Sequence, residues 1–248
     1  MTMNALTKQF FQADFPGWQP RQDFDTVWQS FWTTQEIPIV KLPLGLDVAP
    51  SGAWIEQNQQ KFAHAWHQQQ YDQHFQSLGQ AWFKQPHSQG RYDLQITGLY
   101  PERKKLLDHE AWTEFDHQVR DMHEDAVPDL RDQLERLGFA IYSMKIAKLD
   151  PGGYLEPHKD PLVSKQTMTH LWIPLNQTTD NLKIWPYGLV QHQVGSVYLL
   201  NNQSFMHAIA NFDQQPRYVI TAKLDPEKTN PELVAKIRVC VKQQWFNN

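Results

Sequence analysis

Leu149-Asp150-Pro151-Gly152-Gly153-Tyr154-Leu155-Glu156-Pro157-His158-Lys159-Asp160 is the stretch on which the fold turns. It follows residues 139–149, where apolar and polar side chains alternate with the period of a strand. Asp150-Pro151-Gly152-Gly153 has the composition of a turn, and residues 154–157 read as a second, short strand. The pattern continues downstream. Residues 169–175, 181–185, 196–200, 206–210 and 217–224 are further candidate strands. Turn residues at 176–180, 201–202 and 213–216 separate them. Many short strands at regular spacing predict an antiparallel sandwich or barrel.

Upstream, Arg91-Tyr92-Asp93-Leu94-Gln95-Ile96-Thr97 alternates as a strand does. Residues 112–122 and 129–137 read as helical pieces, the second ending at Gly138. The first 85 residues read as helical and hold six of the ten tryptophans. Val27, Trp28, Phe31 and Trp32 fall on one helical stripe. From Trp54 to Trp82, Ile55, Phe62, Trp66, Tyr71, Phe75 and Leu78 recur near multiples of a helical turn. Such an aromatic stripe predicts core packing, the alternative being a partner or dimer surface. Pro38 and Pro43 interrupt the pattern, so residues 38–52 are expected to form a loop. In the tail, Lys236-Ile237-Arg238-Val239-Cys240-Val241 is a candidate final strand. The expected organisation is an α+β chain with a mainly β core. Residues 1–90 would form a helical N-terminal extension packed on a barrel of residues 91–248.

With 248 residues, 40% of them hydrophobic, the chain is long enough to bury a substantial core. A net charge of −4 and a pI of about 6.2 give no basic excess for nucleic acid and no cationic patch for a lipid surface. Cys240 is the one cysteine, so neither an internal disulfide nor a thiolate metal site is available. No stretch has the roughly 18 apolar residues of a membrane span, and no secretory signal is evident. The expectation is a soluble cytoplasmic protein without a membrane partner.

Two His-x-Asp pairs stand out, His123-Glu124-Asp125 and His158-Lys159-Asp160. About 0.75 such pairs are expected by chance from this composition, so context has to separate them. The first lies in an acidic stretch at the end of an expected helix, where residues two apart point roughly 200° apart and cannot share an ion. On extended chain, residues i and i+2 face the same side, so His158 and Asp160 are able to chelate together. Two histidines and one carboxylate on one face form a site for Fe(II) with open positions. His170, His192 and His207 are the candidates for the third ligand. Ten residues after His207 comes Arg217, whose guanidinium suits a two-hydrogen-bond grip on a carboxylate such as the remote one of 2-oxoglutarate.

The string from Leu149 to Asp160 resembles the first iron motif of the 2-oxoglutarate/Fe(II) oxygenases. It is most similar to the aspartyl/asparaginyl β-hydroxylase-like branch, which includes some free-proline hydroxylases. His170-Leu171-Trp172-Ile173-Pro174-Leu175 resembles the central strand of that branch. Gly195-Ser196-Val197-Tyr198-Leu199-Leu200 resembles the strand before its distal histidine, and His207-Ala208-Ile209-Ala210-Asn211 resembles the distal histidine motif itself. The resemblance spans about residues 91–224. It implies a double-stranded β-helix, a jelly-roll or cupin-like barrel. It also implies metal ligands His158, Asp160 and His207, with Arg217 binding 2-oxoglutarate. Many relatives carry arginine at the start of the central strand, where this chain has His170. That histidine either takes over a carboxylate contact to the cosubstrate or is a satisfied core residue.

The implied activity is hydroxylation of an amino acid, free or within a peptide or protein, using O2 and 2-oxoglutarate and releasing succinate and CO2. The presence of Asp160 fits hydroxylation better than halogenation, because a halide needs that coordination position. Lys145 and Lys148 are candidate contacts for a substrate carboxylate, the alternative being solvent-facing lysines. A homodimer is compatible with the aromatic N-terminal stripe. The rival readings are a cupin-like metalloenzyme that does not use 2-oxoglutarate and a non-catalytic binding module on the same fold.

Overall fold

The computed structural model describes residues 23–34, 36–62, 88–97, 128–160, 168–176, 181–184, 188–191 and 193–246. Helix α1 (Phe24–Gln29) leads through a 3-10 turn (Phe31–Thr33) to β1 (Ile39–Gly45), α2 (Ala49–Gln57) and a second 3-10 turn (Gln59–Phe62). There follow β2 (Ser88–Thr97), α3 (Pro128–Arg136), β3 (Ile141–His158), β4 (His170–Pro174), β5 (Asn181–Ile184) and β6 (Gly188–Gln191). The chain ends with β7 (Ser196–Leu200), β8 (His207–Ala210), β9 (Arg217–Leu224) and α4 (Pro231–Trp245). Residues 63–82 of the helical stretch expected from Trp54 to Trp82, the helix expected over 112–122, the pair at His123 and Asp125, and His192 lie outside the described residues.

The nine strands form an antiparallel jelly roll in the order β1-β7-β4-β9-β3-β8-β5-β6, with β2 also paired to β3. Strand β3 joins its two halves. Residues 141–149 pair with β9, and residues 154–158 pair with β8. The turn expected at 150–153 is therefore a bend inside one continuous strand. Gly152 supplies it, with φ of +70°, a conformation open to glycine. Asn211, fully buried, secures the bend. Its carbonyl accepts from Gly152 N–H at 2.9 Å, and its side-chain amide donates to the carbonyls of Leu149 and Gln215 at 3.0 and 2.9 Å. Opposite, Gly90 also has a positive φ, and a Cβ there would meet the Asp150 Cβ at 3.1 Å.

Cross-strand partners in a ladder share a face, so the register sorts the larger sheet into two surfaces. One carries the row Met144-Ala222-Leu171-Leu199-Val40 and the row Ile146-Ile220-Ile173, all buried and apolar. The other carries Ser143-Lys223-His170-Leu200 and Lys145-Thr221-Trp172-Tyr198, with Leu149-Arg217 deeper along the strands. The apolar face forms a core shared with the helices, and the mixed face carries His170, Lys223 and Arg217. Burying one such aliphatic side chain contributes about 1.5–3 kcal/mol.

Two expectations are corrected. Residues 38–52 are not a loop. Pro43 is tolerated within β1 because that strand lies at the sheet edge, where a missing N–H costs no ladder bond. The segment expected to be a helical layer thus also contributes a strand to the sheet. Residues 236–241 are helix, not strand. Asn230 caps α4 by accepting from Glu232 N–H at 2.8 Å, and Pro231 occupies the first turn. Leu233, Ile237, Cys240, Val241, Gln244 and Trp245 then form a helical stripe facing the core. That helix closes the open edge of the sheet. The Gln244 side chain accepts from Lys41 N–H at 2.9 Å and donates to Lys41 C=O at 2.6 Å, while Trp245 Nε1–H donates to Ile39 C=O at 2.6 Å. Phe24, Val27 and Phe31 are buried, and Trp28 and Trp32 pack against the same core. Arg238 lies over the Phe24 and Trp28 rings and pairs with Asp25 at 2.8 Å, fastening α1 to α4.

Candidate metal centre

His158 ends β3 and His207 begins β8, and the two are directly opposed in the antiparallel ladder. Their rings meet with centroids 4.2 Å apart. Asp160 lies two residues past His158, and its N–H donates to the Asn202 carbonyl at 2.8 Å. Its Oδ1 lies 3.4 Å from His158 Nε2 and 3.9 Å from His207 Nε2, and one ligand atom from each residue falls within 4.8 Å of the others. Ligand atoms about 2.1 Å from a shared ion stand about 3.0–3.4 Å apart at octahedral or tetrahedral angles. The 3.4 Å edge to His158 falls within that span, and the 3.9 Å edge to His207 is longer.

The protonation states also suit a cation. His158 Nδ1 lies 2.7 Å from Glu156 C=O, and His207 Nδ1 lies 3.3 Å from Phe205 C=O. In the tautomer whose Nδ1–H donates to these carbonyls, Nε2 of each ring is the atom left for a metal. Burial pushes His207 down to about 4 against the pull of the Asp160 charge, so the ring is neutral at pH 7. Burial alone would raise Asp160. The neighbouring imidazoles of His158, His170 and His207 and the Lys223 charge outweigh it and hold the carboxyl well below its usual range. A neutral His207 imidazole and an ionised Asp160 carboxylate are forms a divalent metal binds.

Arg217 begins β9 on the same mixed face, buried and opposite Leu149. Its guanidinium carbon lies 5.6 Å from the Trp172 ring centroid. Asn176 brackets it, donating to Pro216 C=O and accepting from Tyr218 N–H, both at 2.8 Å. His170 lies beside the three clustered residues, its Nδ1 3.7 Å from Asp160 Oδ2. Burial, reinforced by the Lys223 charge, pushes it down to about 4. Lys145 shares the mixed face, and its charge reaches His170. Lys148 points to the other face and pairs with Asp150 at 2.8 Å.

Three residues near the site went unremarked in the sequence. Lys223, only 5% exposed, is opposite His170 and six places along β9 from Arg217, so the alternation of that strand already placed it on the site face. Arg91 is opposite Leu149, which is itself opposite Arg217, and its charge is felt by His207. Asn202, read as a turn residue, touches both Asp160 and His170 with its side-chain amide.

No protein-family model matches the sequence, and no curated protein sequence matches it. Among solved structures, a prolyl-4-hydroxylase from Pseudomonas putida aligns at 12% identity and TM-score 0.42, covering 81% of this chain and 97% of its own. The viral collagen prolyl hydroxylase of Paramecium bursaria chlorella virus-1, in its 2OG complex, aligns at 11% identity and TM-score 0.39, covering 76% and 96%. A cupin domain from Bordetella pertussis aligns at 17% identity and TM-score 0.27, covering 34% and 80%. At such values the likeness identifies neither chemistry nor substrate.

Proposed function

We propose that this chain is an Fe(II)- and 2-oxoglutarate-dependent oxygenase that hydroxylates an amino acid, free or within a peptide or protein. The observation that carries the reading is the clustering of His158, His207 and Asp160, with Asp160 Oδ1 3.4 Å from His158 Nε2 and 3.9 Å from His207 Nε2 and one ligand atom of each within 4.8 Å of the others. Two histidines and one carboxylate leave half of an octahedral shell for small molecules, the arrangement suited to non-haem Fe(II) oxygen chemistry. Fe(II) bound there, with O2 and 2-oxoglutarate, would supply an oxidant for inserting oxygen into a C–H bond, releasing succinate and CO2.

The chain's own groups would divide the remaining work. Arg217 is a permanently charged fork set among buried residues, suited to holding the far carboxylate of 2-oxoglutarate by two hydrogen bonds. Its guanidinium carbon lies 5.6 Å from the Trp172 ring centroid, within cation–π reach. The surrounding apolar side chains Leu149, Val219 and Pro174 lower the local dielectric, which strengthens the charge contact. Lys145 and Lys223 make the same interior cationic, which favours an anionic cosubstrate and a substrate bearing a carboxylate.

Succinate release, screened against amino acids and peptides with Fe(II), ascorbate and 2-oxoglutarate, tests this reading. Anaerobic titration of the iron-loaded protein with 2-oxoglutarate should give a visible charge-transfer band, and Asp160→Ala should lose both band and turnover. A wild-type protein that gives no band and no succinate would point to metal chemistry without 2-oxoglutarate. Function unchanged in His158→Ala would point to a binding module.

A further inference from the structure

The two carboxylate oxygens of Asp160 have different surroundings. Oδ1 faces the Nε2 atoms of His158 and His207. Oδ2 faces away from them, toward Asn202 and His170. At 3.7 Å, His170 Nδ1 is beyond hydrogen-bond length from Oδ2. The Asn202 amide nitrogen contacts both groups, one N–H reaching Asp160 Oδ2 and the other reaching His170 Nδ1. An amide NH2 has two hydrogens to donate, and a neutral imidazole with its proton on Nε2 offers an acceptor at Nδ1. Asn202 is 5% exposed, and its backbone carbonyl already holds Asp160 N–H at 2.8 Å, so the same residue fixes both the main chain and the side chain of Asp160.

We infer that Asn202 and His170 form a positioning pair for Asp160, in which the Asn202 amide, braced by the imidazole, occupies Oδ2 so that the carboxylate presents a single oxygen between the two histidines. This rests on the metal-site reading above and replaces the sequence-derived expectation that His170 contacts the cosubstrate. A carboxylate left to rotate would offer both oxygens to an ion and fill a position that a small-molecule ligand needs. Held by Oδ2, it takes one position only. The inference also requires opposite tautomers within one small cluster: Nδ1–H in His158 and His207, where carbonyls accept that proton, and Nε2–H in His170.

Co(II) and Zn(II) affinities, the Co(II) absorption spectrum and the imidazole 15N shifts of the Zn(II)-loaded protein test it without recourse to turnover. Asn202→Leu and His170→Leu should weaken Co(II) binding 10- to 100-fold and alter the Co(II) spectrum. His170→Asn, whose amide oxygen replaces the Nδ1 acceptor, should restore most of the affinity. The 15N shifts should assign the proton of His170 to Nε2. Leucine variants that fold, by thermal unfolding of the metal-free protein, yet bind Co(II) as wild type does would overturn the inference. So would an Nδ1–H tautomer at His170. If Asn202→Leu does not fold, the comparison of His170→Leu with His170→Asn and the wild-type tautomer decide the matter. A wild-type protein that binds Co(II) no better than Asp160→Ala would instead sink the metal site itself, and this pair with it.

Discussion

Acid should unfold the metal-free protein well before its ordinary carboxylates titrate, because two buried imidazoles must take up protons. His170 and His207 are each depressed from 6.5 to about 4, chiefly by burial, and their side chains are 12% and 10% exposed. A depressed histidine binds its proton in the unfolded chain first. Stability from these groups is therefore fully present above pH 6.5 and is lost as pH falls toward 4. At pH 5 each ring should have given up about 2 kcal/mol, and about 3 kcal/mol over the full window. Asp160, held well below its usual range, extends the loss below pH 4. Urea unfolding of chelator-treated protein at pH 7.5, 6.5, 5.5 and 5.0 measures this directly. His170→Asn removes one titrating ring and should roughly halve the slope. A stability that stays within about 0.5 kcal/mol from pH 7.5 to 5.0 in the wild type would refute the claim that these rings are buried and neutral.

Arg217→Lys should weaken 2-oxoglutarate binding about 10- to 100-fold, because one charge-assisted hydrogen bond of roughly 1.5–3 kcal/mol is lost; Co(II) affinity should be unchanged, and calorimetry of both ligands separates the two. Leu171→Ala, at a fully buried position of the apolar face, should cost about 2–5 kcal/mol in urea unfolding. Gln244→Leu leaves Lys41 N–H and C=O without their side-chain partner and should cost about 1–3 kcal/mol, with faster amide exchange at Lys41.

The strands from residue 139 onward were legible because each combines alternation with punctuation by turn residues. Strands β4, β7, β8 and β9 fall within a residue or so of their expected limits. Strand β6 was missed, since four residues offer too few positions for a period to register. The bend at Gly152 was visible as a turn composition, but composition does not say whether the ladder stops there. Helix α4 was misread because Val239-Cys240-Val241 has the branched character of a strand, whereas the capping by Asn230 and Pro231 and the covered sheet edge set its conformation. At the site, the family resemblance picked out His158, Asp160, His207 and Arg217, and the fold brings the first three together. Spacing is silent on contacts made across a turn. Asn202 is 42 residues from Asp160, and only the fold reveals that one amide serves two acidic-site neighbours.

The continuity of β3 makes the chain its own ruler. Leu149 sets the level of Arg217, and His158 sets the level of His207, on one continuous strand that bends at Gly152 and shifts register between Leu155 and His158. A single-residue insertion or deletion between them would not merely lengthen or shorten the gap. Outside the bend and the register shift, it would turn His158 to the opposite face and strand it away from its partner. Natural variants of this chain should therefore accept length changes in the connections on either side of the strand far more readily than within residues 149–158. An aligned set of relatives should show that segment gap-free, or altered by two residues at a time.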